Sequence, residues 1–186
     1  MLVRATHLSS LLIVLLLTAC GVSAIAQSDE EVAPSGYRLG EGDRISIQVF
    51  DEPDLTMGAR IGAGGVINYS YLGDLKVAGK TPVELEREIT QALSDGFLVN
   101  PSVNVTIDEF RPFFINGEVR NPGGYSYQPG LTLDKAIALA GGMTDRASRR
   151  KIYIVRASSG SEKPFKVDTS AVIEPGDIIS IQEGFF

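Results

Sequence analysis

Alternating hydrophobic and polar positions predict the first strand of this 186-residue chain. From Arg44 to Val49, apolar Ile45, Ile47 and Val49 alternate with polar residues, the period of two expected of a half-buried strand. Three further runs of strand-forming residues follow at 66–72, 75–77 and 103–107. The pattern between 37 and 110 therefore predicts a small sheet.

A helix is predicted between the third and fourth of these strands. Thr81-Pro82-Val83-Glu84 has a threonine cap, a proline at the first helical position and a glutamate three residues after the cap. Leu85, Ile89 and Leu93 then fall on one helical face. This face is expected to pack on the sheet.

A second set of elements begins after Arg111-Pro112, which marks a boundary. Asn121-Pro122-Gly123-Gly124 predicts a hairpin turn, and Thr132 is expected to cap a helix that ends at Gly141-Gly142. Strands are predicted at 113–119, 125–127, 152–155, 165–167 and 178–181. The fold class expected is α+β, with two small mixed-sheet modules, the second β-grasp-like.

One sequence pattern, G-D-x-I-S-I-Q, occurs once in each module. It begins at Gly42 in the first and at Gly176 in the second, and it predicts a turn that leads into an alternating strand. Since the intervening elements differ in order, convergent turn chemistry is favoured over duplication.

The first residues indicate export from the cytoplasm. Arg4 precedes an apolar stretch too short to span a membrane, which predicts a signal peptide over 1–19. Leu17-Thr18-Ala19-Cys20 resembles a bacterial lipobox, so Cys20 is the predicted lipid attachment residue and Gly21 favours outer-membrane delivery. The alternative is cleavage after Ala26, which would leave a soluble periplasmic protein. Residues 20–36 are small, polar and acidic, and predict a flexible tether.

Composition excludes several classes of function. A formal charge of −6 and a pI near 4.8 disfavour nucleic-acid binding. His7 and Cys20 are the only histidine and cysteine of the chain. If Cys20 becomes the acylated N-terminus, His7 is removed with the signal peptide and Cys20 lies outside the folded modules. A Ser-His-Asp triad, a Cys/His zinc site and a disulfide are then excluded. We expect no catalytic residue, no metal and no cofactor.

Charge divides unevenly between the modules. Residues 37–110 hold 6 basic and 12 acidic residues, whereas residues 111–186 hold 10 basic and 8 acidic ones. Five basic residues crowd the stretch after the second helix: Arg146, Arg149, Arg150, Lys151 and Arg156. They form either a solvated strand edge or a contact to an acidic partner or polymer.

Two other features have a structural and a functional reading. The glycine-rich run 62–65 could suggest a phosphate-binding loop. A phosphate cradle needs a helix that starts directly after it, and no helix start follows this run, so that function is disfavoured. Four tyrosines at alternate strand positions are core or interface residues, or else sugar-stacking ones: Tyr69, Tyr71, Tyr125 and Tyr127.

About ten short motifs, taken in order, resemble one bacterial family. Those of the first module are Tyr37-x-Leu39-Gly40-x-Gly42-Asp43, Gly65-x-Ile67, Leu72-Gly73, Val77-x-Gly79-x-Thr81 and Pro101-Ser102-Val103. Those of the second are Gly117-Glu118-Val119-x-x-Pro122-Gly123-x-Tyr125, Ala136-Ile137, Ala140-Gly141-Gly142 and Pro175-Gly176-Asp177. In this order they resemble outer-membrane polysaccharide export proteins, with an export domain at 37–110 and a soluble-ligand-binding β-grasp domain at 111–186.

The resemblance implies a ring-forming conduit for capsule or exopolysaccharide. The implied location is the periplasmic face of the outer membrane, with a lipid anchor. The implied partners are the polysaccharide, further copies of the chain and an inner-membrane co-polymerase. Longer relatives add a second β-grasp module and a membrane-crossing C-terminal helix, which this sequence lacks before Phe186. A separate outer-membrane β-barrel is therefore expected to form the exit pore.

Two other functions compete with the export role. A monomeric periplasmic polysaccharide-binding module is the main alternative, and oligomeric mass separates the two. A glycosidase would need two carboxylates about 5–10 Å apart in a cleft. It is disfavoured because the acidic residues lie mainly in turns and on the helix's polar side, and the chain has no tryptophan.

Overall fold

A computed structural model describes residues 36–156 and 163–184, which lie in one compact unit. The predicted α+β class is confirmed, since two helices accompany small mixed and antiparallel sheets. The buried side chains form two hydrophobic clusters, one from Leu39 to Val105 and one from Phe113 to Ile181. We call the elements around these clusters the first and second modules.

The first module contains five strands and one helix. In chain order these are β1 (Arg44–Val49), β2 (Met57–Arg60), β3 (Val66–Tyr69), β4 (Gly73–Lys76), α1 (Pro82–Ser94) and β5 (Val103–Glu109). β1 is the central strand of an antiparallel sheet of order β2-β1-β5, and β3 pairs with β4 as a hairpin. A 3-10 turn, Pro53–Leu55, connects β1 to β2.

The α1 helix forms as its sequence predicts. The Thr81 hydroxyl accepts a hydrogen bond from the Glu84 amide at 3.2 Å, and the Glu84 carboxylate accepts one from the Thr81 amide at 2.8 Å. This reciprocal capping box satisfies two amide groups that the first turn leaves unpaired. Leu85, Ile89 and Leu93 are fully buried, so the apolar stripe packs into the first module's core.

The second module also has five strands and one helix. These are β6 (Phe113–Gly117), β7 (Gly123–Tyr125), α2 (Leu133–Leu139), β8 (Ala147–Val155), β9 (Phe165–Val167) and β10 (Ile178–Glu183). The sheet order is β7-β6-β10-β8-β9. β6 and β10, the first and last strands of this module along the chain, are neighbours in the sheet and pair in parallel. Leu133, Ala136 and Ile137 of α2 are buried in the core of this module, the β-grasp-like arrangement expected from the sequence.

Gly117 of the Gly117-Glu118-Val119 motif lies where the central strands of the second module approach closely. Its φ is +84°, and a Cβ built on it would stand 2.1 Å from the backbone oxygen of Ile181. Only glycine fits such an approach of two backbones. The motif residue is therefore required by the pairing of β6 with β10.

Several local features differ from the predictions. β7 comprises Gly123–Tyr125 and not 125–127, so Gly123 and Gly124 lie in the strand and Tyr127 lies beyond it. Edge strand β2 was not predicted, because Met57-Gly58-Ala59-Arg60 lacks a clear alternation of apolar and polar residues. β3 ends at Tyr69, so Tyr71 lies in a turn and not at a strand position. The Thr132 side chain makes no capping hydrogen bond, since carbonyls of Ala171 and Thr169 accept from the first amides of α2 instead.

Among the residues described, no helix has the length and apolar character needed to cross a bilayer.

Candidate functional site

A buried aspartate folds back on the turn that precedes each central strand. In the first module, Asp43 is fully buried and Gly42 has a φ of +93°. The Asp43 carboxylate accepts hydrogen bonds from the Gly40 amide at 2.8 Å and from the Tyr37 hydroxyl at 2.6 Å. This closed turn fixes the start of β1.

The second module has the same buried-aspartate turn, with different hydrogen-bond partners. Asp177 is fully buried, Gly176 has a φ of +84°, and the Asp177 carboxylate accepts from the Glu174 amide at 2.9 Å. Arg156 donates to both carboxylate oxygens at 3.1–3.3 Å. Burial raises the pKa of Asp177, while the hydrogen bonds from Arg156 and from the Glu174 amide oppose this effect. The sequence echo thus corresponds to one turn geometry used twice.

Arg111 connects the two turns. Its amide and its guanidinium both donate to the Asp43 carboxylate, at 2.7 and 3.3 Å, and its Nε donates to the Pro175 carbonyl at 3.1 Å. The Arg111 side chain is only 16% exposed. Since Asp43 belongs to the first module and Pro175 to the second, this single side chain ties the modules together. We call this region the junction.

The first glycine of the Leu39-Gly40-x-Gly42-Asp43 motif makes room for that side chain. A Cβ built on Gly40 would lie 1.9 Å from the Arg111 guanidinium nitrogen Nη1. Any other residue would have to displace a charged group from its buried partner, Asp43. The junction therefore requires a glycine at this position of the first module's motif.

Three aromatic rings extend the junction. Phe110 packs edge-to-face on Tyr37 and on Tyr127, with centroid distances of 5.1 and 5.3 Å. Burial, and after it the hydrogen bond to Asp43, raises the pKa of Tyr37, so its hydroxyl stays a donor at neutral pH. Beside the rings lies a cleft of about 440 Å³ lined by Tyr37, Arg111, Tyr127 and Glu174 among others.

The arrangement at the junction favours binding and rigidity over proton transfer. Both buried carboxylates already accept hydrogen bonds from an arginine and from a backbone amide. A general base must be within hydrogen-bond reach of a substrate proton, whereas both carboxylates are fully buried. Asp43 and Asp177 instead hold the two central strands in a fixed relation.

The strand directions place the far ends of the modules away from the junction. β1 starts next to Asp43, and β10 starts next to Asp177, so both strands run outward from the junction. β5 is antiparallel to β1 and pairs Val103 with Val49 at the outer end. In the second module Glu183 pairs with Ala147, which places the start of β8 at that module's outer end.

The five predicted contact residues do not form one surface. Arg156 lies at the junction end of β8, where it pairs with Asp177 and with Glu174. Arg146 pairs with Glu183 at the outer end, and Lys151 Nζ donates to the Glu183 carbonyl at 3.3 Å. Arg149 and Arg150 are exposed near the start of β8. The outer end therefore keeps four of the five residues.

Other residues singled out from the sequence have diverse positions. Tyr69 and Tyr127 are buried, Tyr125 is partly buried, and Tyr71 is exposed. In the glycine-rich run, Gly64 donates its amide to Glu41 at 2.8 Å. Cys20, the predicted lipid attachment residue, lies outside the described residues.

Sequence reasoning missed the junction. Arg111 was noted only as a boundary marker, because its partners are 68 residues earlier and 64 residues later in the chain. A usable signal was present: in both occurrences of G-D-x-I-S-I-Q the aspartate precedes an alternating strand, and a buried aspartate needs a cationic or multiple-donor partner.

Comparisons with known protein families identify the class to which these two modules belong. Residues 31–108 match the family described as polysaccharide biosynthesis/export protein, and residues 112–168 match the SLBB domain. The chain belongs to the polysaccharide export family and carries an SLBB domain.

Individual relatives share about a third of their aligned residues with the chain. Exopolysaccharide production protein ExoF of Rhizobium meliloti (strain 1021) is 32% identical over 159 residues, which cover 78% of this chain and 36% of the relative. EPS I polysaccharide export outer membrane protein EpsA of Ralstonia solanacearum is 32% identical over 58% of this chain and 35% of its own length. EpsA of Ralstonia nicotianae is 29% identical over 75% of this chain and 42% of the relative. The chain thus spans well under half the length of these relatives.

Proposed function

We propose that the protein is a non-enzymatic component of an exopolysaccharide or capsule export apparatus, in which several copies form a ring around the polymer. Its family and the names of its relatives, an exopolysaccharide production protein and a polysaccharide export outer membrane protein, support the export role. The observation that carries the ring is the rigid junction at Arg111, which presents two unlike outer ends on one body.

Unlike ends favour head-to-tail contacts between copies. The outer end of the first module includes Asp51 in the loop after β1 and Asp95 after α1. That of the second module includes Arg146, Arg149, Arg150 and Lys151. A contact between two different surfaces of the same chain closes into a ring when the rotation between copies is suitable. Complementary charge would select this contact over others.

The division of the chain proposed with this function is a signal peptide at 1–19, a tether at 20–36, an export domain at 37–110 and a β-grasp domain at 111–186. Acylation at Cys20 would hold the ring at the periplasmic face of the outer membrane. Mass spectrometry of the mature N-terminus tests the anchor, and Cys20→Ala should abolish lipid attachment. An unacylated protein starting at Gln27 would replace the anchor by a soluble periplasmic state.

The proposed partners are the exported polysaccharide, an inner-membrane co-polymerase and a separate outer-membrane β-barrel. Affinity purification of the full chain from cross-linked envelopes tests the two protein partners. Both should be recovered with the wild-type chain. Recovery of neither would contradict this part of the proposal.

Native mass measurement of the detergent-extracted full chain tests the ring. We expect an oligomer, and we expect the double reversal Arg149→Glu with Arg150→Glu to lower its mass, most clearly at low salt where surface charges are least screened. Lys135→Glu with Lys166→Glu makes the same charge change away from the outer end of the second module and serves as the control. A monomeric wild type would favour the polysaccharide-binding module instead. An unchanged mass for the Arg149 and Arg150 variant would refute the charge contact.

A further inference from the structure

Three loops meet at the outer end of the first module. They are the loop after β1, the β3–β4 turn and the connection from α1 to β5. The Phe50 amide donates to the Ser102 carbonyl at 2.9 Å, and the Tyr69 hydroxyl donates to the Leu55 carbonyl at 2.9 Å. These bonds hold the loop after β1 against both its neighbours. We call this region the loop tip.

The loop tip also concentrates the residues other than glycine that have positive φ. Within residues 36–156 and 163–184, the non-glycine residues with positive φ are Asp51, Tyr71 and Asn100, one in each of the three loops. For tyrosine this conformation is uncommon, since its Cβ crowds the following carbonyl. Such conformations persist only where surrounding structure enforces them, and they cluster at functional sites.

The residue with the unusual conformation, Tyr71, carries an aromatic ring that is exposed to solvent. Tyr71 is 69% exposed and Phe97, from the connection after α1, is 52% exposed. Their ring centroids are 5.9 Å apart and the ring planes meet at 58°. Two large aromatic rings would normally bury their faces, yet here they form an open wedge.

A depression of about 210 Å³ lies beside this wedge. Leu55, Leu93 and Leu98 contribute apolar surface, while Glu52 and Asp54 contribute carboxylates. The segments 50–56, 70–72 and 94–102 contain four acidic residues and no lysine or arginine. The loop tip therefore offers an apolar wall next to hydrogen-bond acceptors, in an acidic field that repels anions.

We propose that the loop tip is a saccharide-binding site, in which Tyr71 and Phe97 receive the C–H face of an uncharged sugar ring. Glu52 and Asp54 accept hydrogen bonds from its hydroxyl groups. A pyranose has this combination of an apolar face and a rim of donors. An acidic sugar would be disfavoured by the carboxylates. The ligand class rests on the proposed export function, whereas the position of the site rests on the loop tip itself.

A second copy of the chain is the competing occupant of the depression, since the basic outer end of the second module, placed opposite Asp51 and Asp95 in the ring, would also be attracted to Glu52 and Asp54. Charge complementarity explains the acidic residues but gives no reason for two adjacent exposed rings, one of them on a tyrosine with positive φ. A sugar ring uses both features, so the observations favour the saccharide.

Isothermal titration calorimetry, which measures the affinity for oligosaccharides, tests the site with two variants and a matched control. The probe is the set of oligosaccharides released by mild acid hydrolysis of the polysaccharide secreted by the bacterium that encodes the chain, separated into uncharged and anionic fractions. Tyr71→Asn removes the ring and suits positive φ, so the fold should not suffer. Phe97→Ala removes the other ring. Phe114→Ala is the control, because Phe114 is 47% exposed on the second module.

We expect wild type and Phe114→Ala to bind the uncharged fraction equally, and each loop-tip variant to bind it about tenfold more weakly. Equal binding by all four proteins, or no binding by wild type, would overturn the site. If wild type binds nothing but loss of the gene still stops secretion, the export function stands and only the site fails. If Tyr71→Asn lowers the native mass and leaves sugar binding intact, the loop tip is a contact between copies.

Discussion

Replacing Asp43 by asparagine removes the charge at the junction while nearly preserving the size of the side chain. One asparagine oxygen can still accept from the Arg111 amide, as Oδ1 of Asp43 does at 2.7 Å. The new NH2 group would then face the Gly40 amide and the Arg111 guanidinium, which now donate to Oδ2 at 2.8 and 3.3 Å. The Tyr37 hydroxyl can rotate to accept from that group.

The Gly40 amide is therefore left without an acceptor in a buried site, and the Arg111 guanidinium loses its carboxylate partner and keeps only the Tyr37 hydroxyl at 3.1 Å and the Pro175 carbonyl at 3.1 Å as acceptors. An unpaired buried donor costs about 1–3 kcal/mol, and breaking a buried ion pair by removing one partner costs about 3–5 kcal/mol. These are two views of the same loss, so they are not added. We expect Asp43→Asn to lower the free energy of unfolding by about 4 kcal/mol.

Urea unfolding of the mature chain, followed by far-UV circular dichroism at pH 7, measures this loss. Glu109→Gln is the matched control, because the carboxylate of Glu109 pairs with Arg60 at 2.6 Å where both side chains are more than half exposed. Exposed pairs contribute about 0–1 kcal/mol. A loss of less than about 1 kcal/mol for Asp43→Asn would show that the carboxylate does not hold the junction.

Two further predictions test helix capping and buried charge. Thr81→Ala should destabilise the protein by about 1 kcal/mol in urea unfolding, whereas Thr132→Ala should cost clearly less, because only the Thr81 hydroxyl bonds to its helix; equal losses would contradict this assignment. Since the folded-state pKa of Asp177 is raised from 3.8, its contribution to stability is complete below that pH and is lost as the pH rises through the raised pKa. The unfolding free energy of wild type relative to Asp177→Asn should therefore decline from about pH 4 upward, and an NMR titration placing the Asp177 pKa at or below 3.8 would contradict it.

Local sequence patterns were sufficient for most of the secondary structure. The stripe Leu85, Ile89, Leu93 predicted the buried face of α1, and the alternation after Gly42 and Gly176 predicted the two central strands. These predictions succeeded because each depends on a burial period within a few neighbouring residues. The edge strand at Met57–Arg60 has no such period and was missed.

The composition and order of motifs also determined the family, because its glycines and aspartates are spaced by turn geometry that can be read along the chain. Why those residues are needed was decided only by the tertiary structure. Position 40 must be glycine because the Arg111 side chain lies against it, and position 117 must be glycine because the backbone of β10 passes beside it.

The functional surfaces depended most on the fold. Arg156 was grouped with its basic sequence neighbours, but the antiparallel pairing of β8 with β10 carries it to the junction and leaves Arg149 near the opposite end. Tyr71 and Phe97 are 26 positions apart and become neighbours only because a turn and a helix end at the same edge. Short-range periodicity records which side of an element is buried, whereas partners distant in sequence are set by how the elements pair and pack.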